Sequence, residues 1–232
     1  MPPLASNDTG LTPVRVWDLP TRLFHWALVV CFIGSIVSAK LGGNAMEWHL
    51  RFGYTVFALL GFRLIWGFVG GRWSRFASFI YRPATLWRYL RGRAGAEEHL
   101  DVGHSPLGSF SVFALLLFLA AQVATGLFAD DEIATTGPFN RFVADATAER
   151  LTSYHKNIGQ WVLIGLVLLH VGAITAYWLR KRRNLVGPML RGDKLLPPGV
   201  PHSDDSPSTR ALAVVLLTAC GAVVAWLVSL GG

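Results

Sequence analysis

Five apolar blocks, each close to the length needed to cross a lipid bilayer, constrain this chain more than any other feature. A hydrocarbon core takes about 20 apolar residues per helix, and residues 23–43, 49–70, 107–129, 154–179 and 211–230 approach that length. Charged residues make up 15% of the chain and hydrophobic residues 52%, a bias toward apolar character that sets it apart from an ordinary soluble domain. The polar residues inside the blocks are mostly Ser, Thr and Gln, which a helix bundle tolerates. Arg63 and several histidines are the exceptions. The expectation is an all-α integral membrane bundle.

The net charge of +7 is read as topology and not as nucleic-acid affinity, because the basic residues crowd into the gaps between blocks. Arg72, Arg75, Arg82, Arg88, Arg91 and Arg93 follow the second block, and Arg180, Lys181, Arg182 and Arg183 follow the fourth. Lys and Arg are held on the cytoplasmic side. The gap after the third block instead carries Asp130, Asp131, Glu132, Asp145 and Glu149, which places it outside. The amino terminus is then cytoplasmic and the carboxyl terminus periplasmic. The first 22 residues, with Pro2, Pro3, Asp8, Pro13, Asp18 and Pro20, lack the apolar core of a cleavable signal peptide. Residues 83–93 alternate Trp87, Tyr89 and Leu90 with arginines, which fits either a short helix in the inner headgroup layer or a basic loop.

The organisation expected is a transmembrane domain over 1–195, a Pro/Ser-rich linker over 196–209, and an accessory fifth helix over 210–232 that contains no histidine. Cys31 and Cys220 both lie in apolar blocks and outside any Cys-x-x-Cys motif. Disulfides, structural zinc and covalently attached haem are disfavoured.

Ionisable residues at the ends of membrane spans are costly and mark functional sites. Four histidines stand at such ends: His25 and His170 toward the inner face, His49 and His155 toward the outer. His155 and His170 are separated by fifteen positions, which puts them roughly 60° apart in azimuth and about 22 Å apart along one helix. Two haems stacked near opposite membrane faces would use that spacing. Paired neutral imidazoles give six-coordinate iron suited to electron transfer. Zinc or copper would require a tighter cluster.

Haem propionates need cations or donors near the surface. Arg22 is placed for this on the inner side, and Arg51, Arg150 and Lys156 on the outer, though each also suits a headgroup anchor. Arg63 lies deeper, to face a haem or to snorkel inward. His104, ahead of the third block, is the rival to His25 or His170 as a ligand, or else a propionate or quinone contact. His99 and His202 fall in polar segments and read as surface residues.

The run Val16-Trp17-Asp18-Leu19-Pro20-Thr21-Arg22-Leu23-Phe24-His25-Trp26 resembles the bacterial cytochrome b561 and nickel-hydrogenase cytochrome b family. The likeness continues through Trp48 to Tyr54, Phe62 to Gly70, Gly103 to Gly108, His155, Leu169 to Val171 and Arg191 to Lys194, covering roughly the first 195 residues. It implies a four-helix bundle in the bacterial inner membrane holding two b haems on His25, His49, His155 and His170. It also implies exchange of electrons between the quinone pool and a hydrogenase, a dehydrogenase or a c-type cytochrome. The fifth helix departs from that four-helix pattern. Two other readings stand beside this one: a stand-alone quinone-linked oxidoreductase acting on a small reductant such as superoxide, and a haem-free scaffold or transporter.

Overall fold

Asp18-Leu19-Pro20, Ser105-Pro106 and Ser206-Pro207 each set a capping side chain just ahead of a proline, and each starts a long helix. A computed structural model describes residues 10–93, 95, 99–131 and 135–231; Pro2, Pro3, Asp8 and Glu132, named above, lie outside the described residues. Strand β1 (Thr12–Arg15) leads into α1 (Leu19–Leu41), and a 3-10 turn at Gly43–Ala45 leads into α2 (Met46–Val69). Two further 3-10 turns precede α3 (Pro83–Leu90) and α4 (Pro106–Leu127). Then follow α5 (Asp145–Ser153), a π-helical segment (Tyr154–Gly159), α6 (Gln160–Lys181), α7 (Val186–Arg191), β2 (Asp193–Leu196) and α8 (Pro207–Ser229).

The caps explain why the helices begin earlier than hydropathy indicates. Asp18 Oδ1 accepts from the Thr21 amide at 2.8 Å, and Ser105 Oγ accepts from the Gly108 amide at 3.2 Å. Each satisfies a helix-end donor that bilayer or protein would otherwise leave unpaired, and proline in the first turn loses no hydrogen bond. Residues 145–181 form one continuous helical run, so His155 lies well inside a helix instead of opening one.

Five helices among the described residues are long and apolar enough to cross a membrane. The chain is a multi-pass inner-membrane helical bundle. Helix α2 is its hub, packing on α1, α8 and α4, while α6 packs on α4. Phe24, Val56, Leu59, Phe62, Trp66, Leu119 and Leu163 fill the centre. Large apolar side chains such as Leu117, Leu168, Leu169 and Trp178 face outward, the arrangement that lipid favours. Helix α8 lies along α2, with Cys220 opposite Gly61.

Helix accounts for all the spans, and a short antiparallel ladder is added at one end, where Thr12 pairs with Leu196 and Arg15 with Asp193. Four-residue strands carry too little alternation to be seen in sequence. The segment expected as a linker is tied to this ladder. Arg15 bridges Asp193 and Asp205, each at 2.6 Å, and Trp73 Nε1 donates to the Pro201 carbonyl at 2.8 Å. Residues 83–90 are helical, which resolves the choice between helix and loop there.

Asp18 is fully buried and joins three segments. Beyond the Thr21 amide, its carboxylate accepts from Trp66 Nε1 at 3.1 Å and Ser74 Oγ at 2.5 Å. Removing an acceptor shared by buried donors leaves them unsatisfied, at about 1–3 kcal/mol for each group. Asp18→Ala is therefore expected to cost about 3 kcal/mol or more, and Asp18→Asn less. Unfolding of the purified protein in detergent measures both.

Candidate functional site

The bundle has two ends of opposite character. The acidic end carries the α1–α2 turn and the α4–α5 connection; the basic end carries the α2–α4 connection and residues 182–206. Each end gathers histidines.

At the acidic end, α2 presents His49 and the π segment presents His155. Their ring centroids are 6.0 Å apart and their planes stand at 89°. His49 Nδ1 lies 2.9 Å from the Ser35 carbonyl, and His155 Nδ1 lies 2.9 Å from the Gln122 carbonyl. A carbonyl can only accept, so Nδ1 of each ring carries the proton and Nε2 keeps the lone pair. That is the tautomer a metal-binding imidazole needs, with its outer N–H held by a fixed acceptor. Two imidazoles binding one metal through bonds of about 2.0 Å would have centroids about 6 Å apart.

These histidines border a cavity of about 1100 Å³ between α1, α2, α4 and α6, slightly larger than most cofactor sites. Gly53, one turn beyond His49, lines it with open space where a side chain would project. Gly126 lies flat against the His155 ring, where a methyl group would come within 2.8 Å of Cε1. Lys156 lines the cavity, as does Lys40 at the end of α1. Arg51 and Arg150, expected beside it, do not line it. Arg51 is exposed, paired with Glu47 and stacked on Trp48.

The basic end brings together His25 on α1, His170 on α6, His104 from the loop before α4, and Arg63 on α2. His25 and His170 are close enough to interact electrostatically, and His104 feels Arg63, His170 and His25. The His104 ring sits between Trp17 and Phe79, with centroids at 4.7 and 4.5 Å. Burial, reinforced by Arg63, pushes His104 down to about 3, so at neutral pH it is uncharged. Arg63 is buried, with Nη2 donating to the Ser74 carbonyl at 3.1 Å and its guanidinium over Phe76 at 4.6 Å. It does not snorkel to the surface.

Among the described residues, five buried side-chain polar atoms lack a partner: Arg22 Nε, His25 Nδ1, Arg63 Nη1, His104 Nδ1 and Gln122 Oε1. Four of these belong to the basic end. Buried polar groups are nearly always paired, so this concentration marks a place where something else supplies partners. No group of three or more His, Cys, Asp or Glu gathers as for a metal ion among the described residues. The His49–His155 geometry instead offers a pair of imidazoles, a donor set that fits a metal whose other ligands come from elsewhere.

A family model for prokaryotic cytochrome b561 matches residues 16–192. The chain belongs to the prokaryotic cytochrome b561 family. Among curated relatives it is 28% identical over 221 residues to a probable Ni/Fe-hydrogenase B-type cytochrome subunit of Cupriavidus necator, covering 81% of this chain and 89% of that protein. The similarly described subunit of Bradyrhizobium diazoefficiens is 24% identical over 220 residues, covering 80% and 87%. The probable Ni/Fe-hydrogenase 1 B-type cytochrome subunit of Escherichia coli is 25% identical over 189 residues, covering 67% and 80%. No solved structure matches. Family membership makes this chain a membrane b-type cytochrome.

Sequence reasoning missed Lys40, Ser35, Ser111 and Gln122. Lys40 sat at the edge of a span, where a cation reads as an anchor. Ser35 acts through its carbonyl, which no residue type reveals. Ser111 Oγ lies 3.4 Å from His170 Nδ1, and it and Gln122 were two of several polar residues that a bundle tolerates.

Proposed function

We propose that the chain binds two haem b groups, one at each end of the bundle, and passes electrons between membrane quinone and a partner redox protein. His49 and His155 would hold the haem at the acidic end, and His25 and His170 the haem at the basic end. The supporting observation is the His49–His155 pair: two perpendicular rings 6.0 Å apart, each with Nδ1 on a backbone carbonyl. Bound haem would supply a one-electron couple at each end. The Ser35 and Gln122 carbonyls fix the imidazole tautomers at the acidic end, and the nearby cations set the local charge.

At the basic end the unpartnered Arg63 Nη1 and Arg22 Nε are donors in want of acceptors, which propionate oxygens would provide, and His104 Nδ1 joins them in the tautomer that carries its proton there. His104 is assigned there and not to the iron. Its ring is enclosed by Trp17 and Phe79, and it stands beside the one buried guanidinium among these donors. Lys40 and Lys156 play the matching part at the acidic end. The basic end faces the cytoplasm, because the arginine-rich connections lie there.

The partner is taken to be a hydrogenase, another dehydrogenase or a c-type cytochrome, since the curated relatives are described as hydrogenase cytochrome subunits. The reading as an enzyme oxidising a small anion would require a positive funnel. Lys40 and Lys156 line the acidic-end cavity, but so do Glu47 and Asp131. Asp131 sets an opposite charge beside the two lysines, and Glu47 is paired with Arg51, so the lining is not uniformly positive.

A reduced-minus-oxidised spectrum of the purified chain is expected to show a b-type band and two haems per chain. His155→Ala should remove the acidic-end haem alone and His170→Ala the basic-end haem alone, while His104→Gln keeps both. Two haems remaining in either alanine variant, or no b-type band in the parent, would sink the assignment.

The two haems are also expected to differ in potential. Carbonyl-bound Nδ1–H groups make His49 and His155 stronger donors, which favours oxidised iron. The basic-end ligands are held less firmly, His25 Nδ1 having no partner and His170 Nδ1 a hydroxyl at 3.4 Å, and the buried Arg63 cation favours the reduced state. The basic-end haem should therefore have the higher potential. Arg63→Gln should lower that potential and leave the other unchanged, as read by redox titration.

A further inference from the structure

A glutamine amide inside a membrane span costs free energy unless its polar atoms are used, and Gln122 on α4 spends its side-chain donor on His155. Its peptide carbonyl accepts from His155 Nδ1–H at 2.9 Å, and its side-chain Nε2 donates to the His155 carbonyl at 3.0 Å. The imidazole and the backbone of the same residue are gripped by one residue of the neighbouring helix.

The local structure of both helices makes room for this grip. His155 lies in the π segment Tyr154–Gly159, where the widened turn leaves a backbone carbonyl open to an outside donor; such bulges are rare and concentrate at functional sites. Gly159, at the end of the segment, has no side chain, and a methyl group there would overlap Gln122 Oε1. Gly126, one turn along α4, lets the His155 ring lie against the helix. Gln122 Oε1 itself is buried without a partner. A leucine would fill the same volume without that cost, so packing alone does not account for the amide. Thr125 also approaches His155 Nδ1, at 3.4 Å, but its hydroxyl already donates to the Ala121 and Gln122 carbonyls.

Resting on the haem assignment above, we propose that Gln122 is a positioning residue for the acidic-end haem, fixing the rotation of the His155 ring through the π segment. Freed of the amide, the His155 backbone can relax toward a regular α-helical turn, and the ring would lose its perpendicular relation to His49. The electronic signature of bis-imidazole iron depends on the angle between ring planes: perpendicular planes give a strongly anisotropic low-spin electron paramagnetic resonance signal, and the anisotropy falls as they align.

The test uses the full-length chain purified in detergent, comparing Gln122→Leu, Gln122→Met and Gly159→Ala with Thr125→Val as control. The glutamine variants remove the amide, and Gly159→Ala displaces it while leaving it chemically intact. The expected result is a shift of the acidic-end signal toward lower anisotropy, with the basic-end signal and its potential unchanged and the control identical to the parent. Met, flexible and unbranched, carries the test if Leu does not accumulate. Both signals unchanged in the glutamine variants, with two haems per chain, would overturn the positioning role. Failure of the haem assignment is told apart by His155→Ala: if that variant keeps the signal that Gln122→Leu was to move, the ligand itself is wrong.

Discussion

Inside a bilayer there is no water to satisfy a polar group, so each one must find its partner within the protein or be answered by something bound. That constraint organises this bundle. The carboxylate of Asp18 is fully buried, yet its donors come from α1, from Trp66 near the end of α2, and from Ser74 beyond it. A charge that would be prohibitive alone becomes the joint between three segments. Nearby, Ser203 Oγ donates to the Val16 carbonyl and accepts from the Trp73 amide, which fixes the approach to α8. With the basic end locked in this way, Arg63 and His104 are held in place although neither has all its donors used.

The same bookkeeping separates structure from site. Polar groups that serve the fold are paired, as the Asp18 network shows. The orphaned polar atoms of Arg22, His25, Arg63 and His104 cluster at one end, around the histidines that the family likeness implies as ligands. At the acidic end both ring Nδ1 atoms are satisfied, and what remains open is a volume lined by Gly53 on one side and His155 on the other. One end advertises itself by missing partners and the other by missing bulk.

The spans were legible because bilayer thickness imposes a length on apolar runs, and the four histidines stood out because ionisable groups are rare there. Depth along a helix follows from residue number, so the pairing of His49 with His155 could be anticipated, and their rings do meet. Less was legible wherever a role depends on backbone geometry. Nothing in Tyr154 to Gly159 signals a π segment, because a widened turn differs from a regular one by a single hydrogen-bond shift. Arg51 looked as suitable as Lys156 for an outer anion, yet Glu47, four residues before it on the same helix, takes its charge. Lys156, within the π segment, is directed to the cavity instead.

In residues 196–209 composition is informative about polarity and silent about order. Proline, serine and aspartate suit a loose connection, but Asp205 meets Arg15 and Arg210 together, and Ser206 caps α8. Ion pairs between residues some 190 positions apart, as between Arg15 and Asp205, leave no local trace in sequence. Their effect is to make the start of α8 continuous with the start of α1. Both helices then lean on α2 from a common anchorage, and α2 carries His49 and Arg63 toward opposite ends of the bundle. The fifth helix contributes no histidine, but it packs along the outer side of the helix that serves both sites.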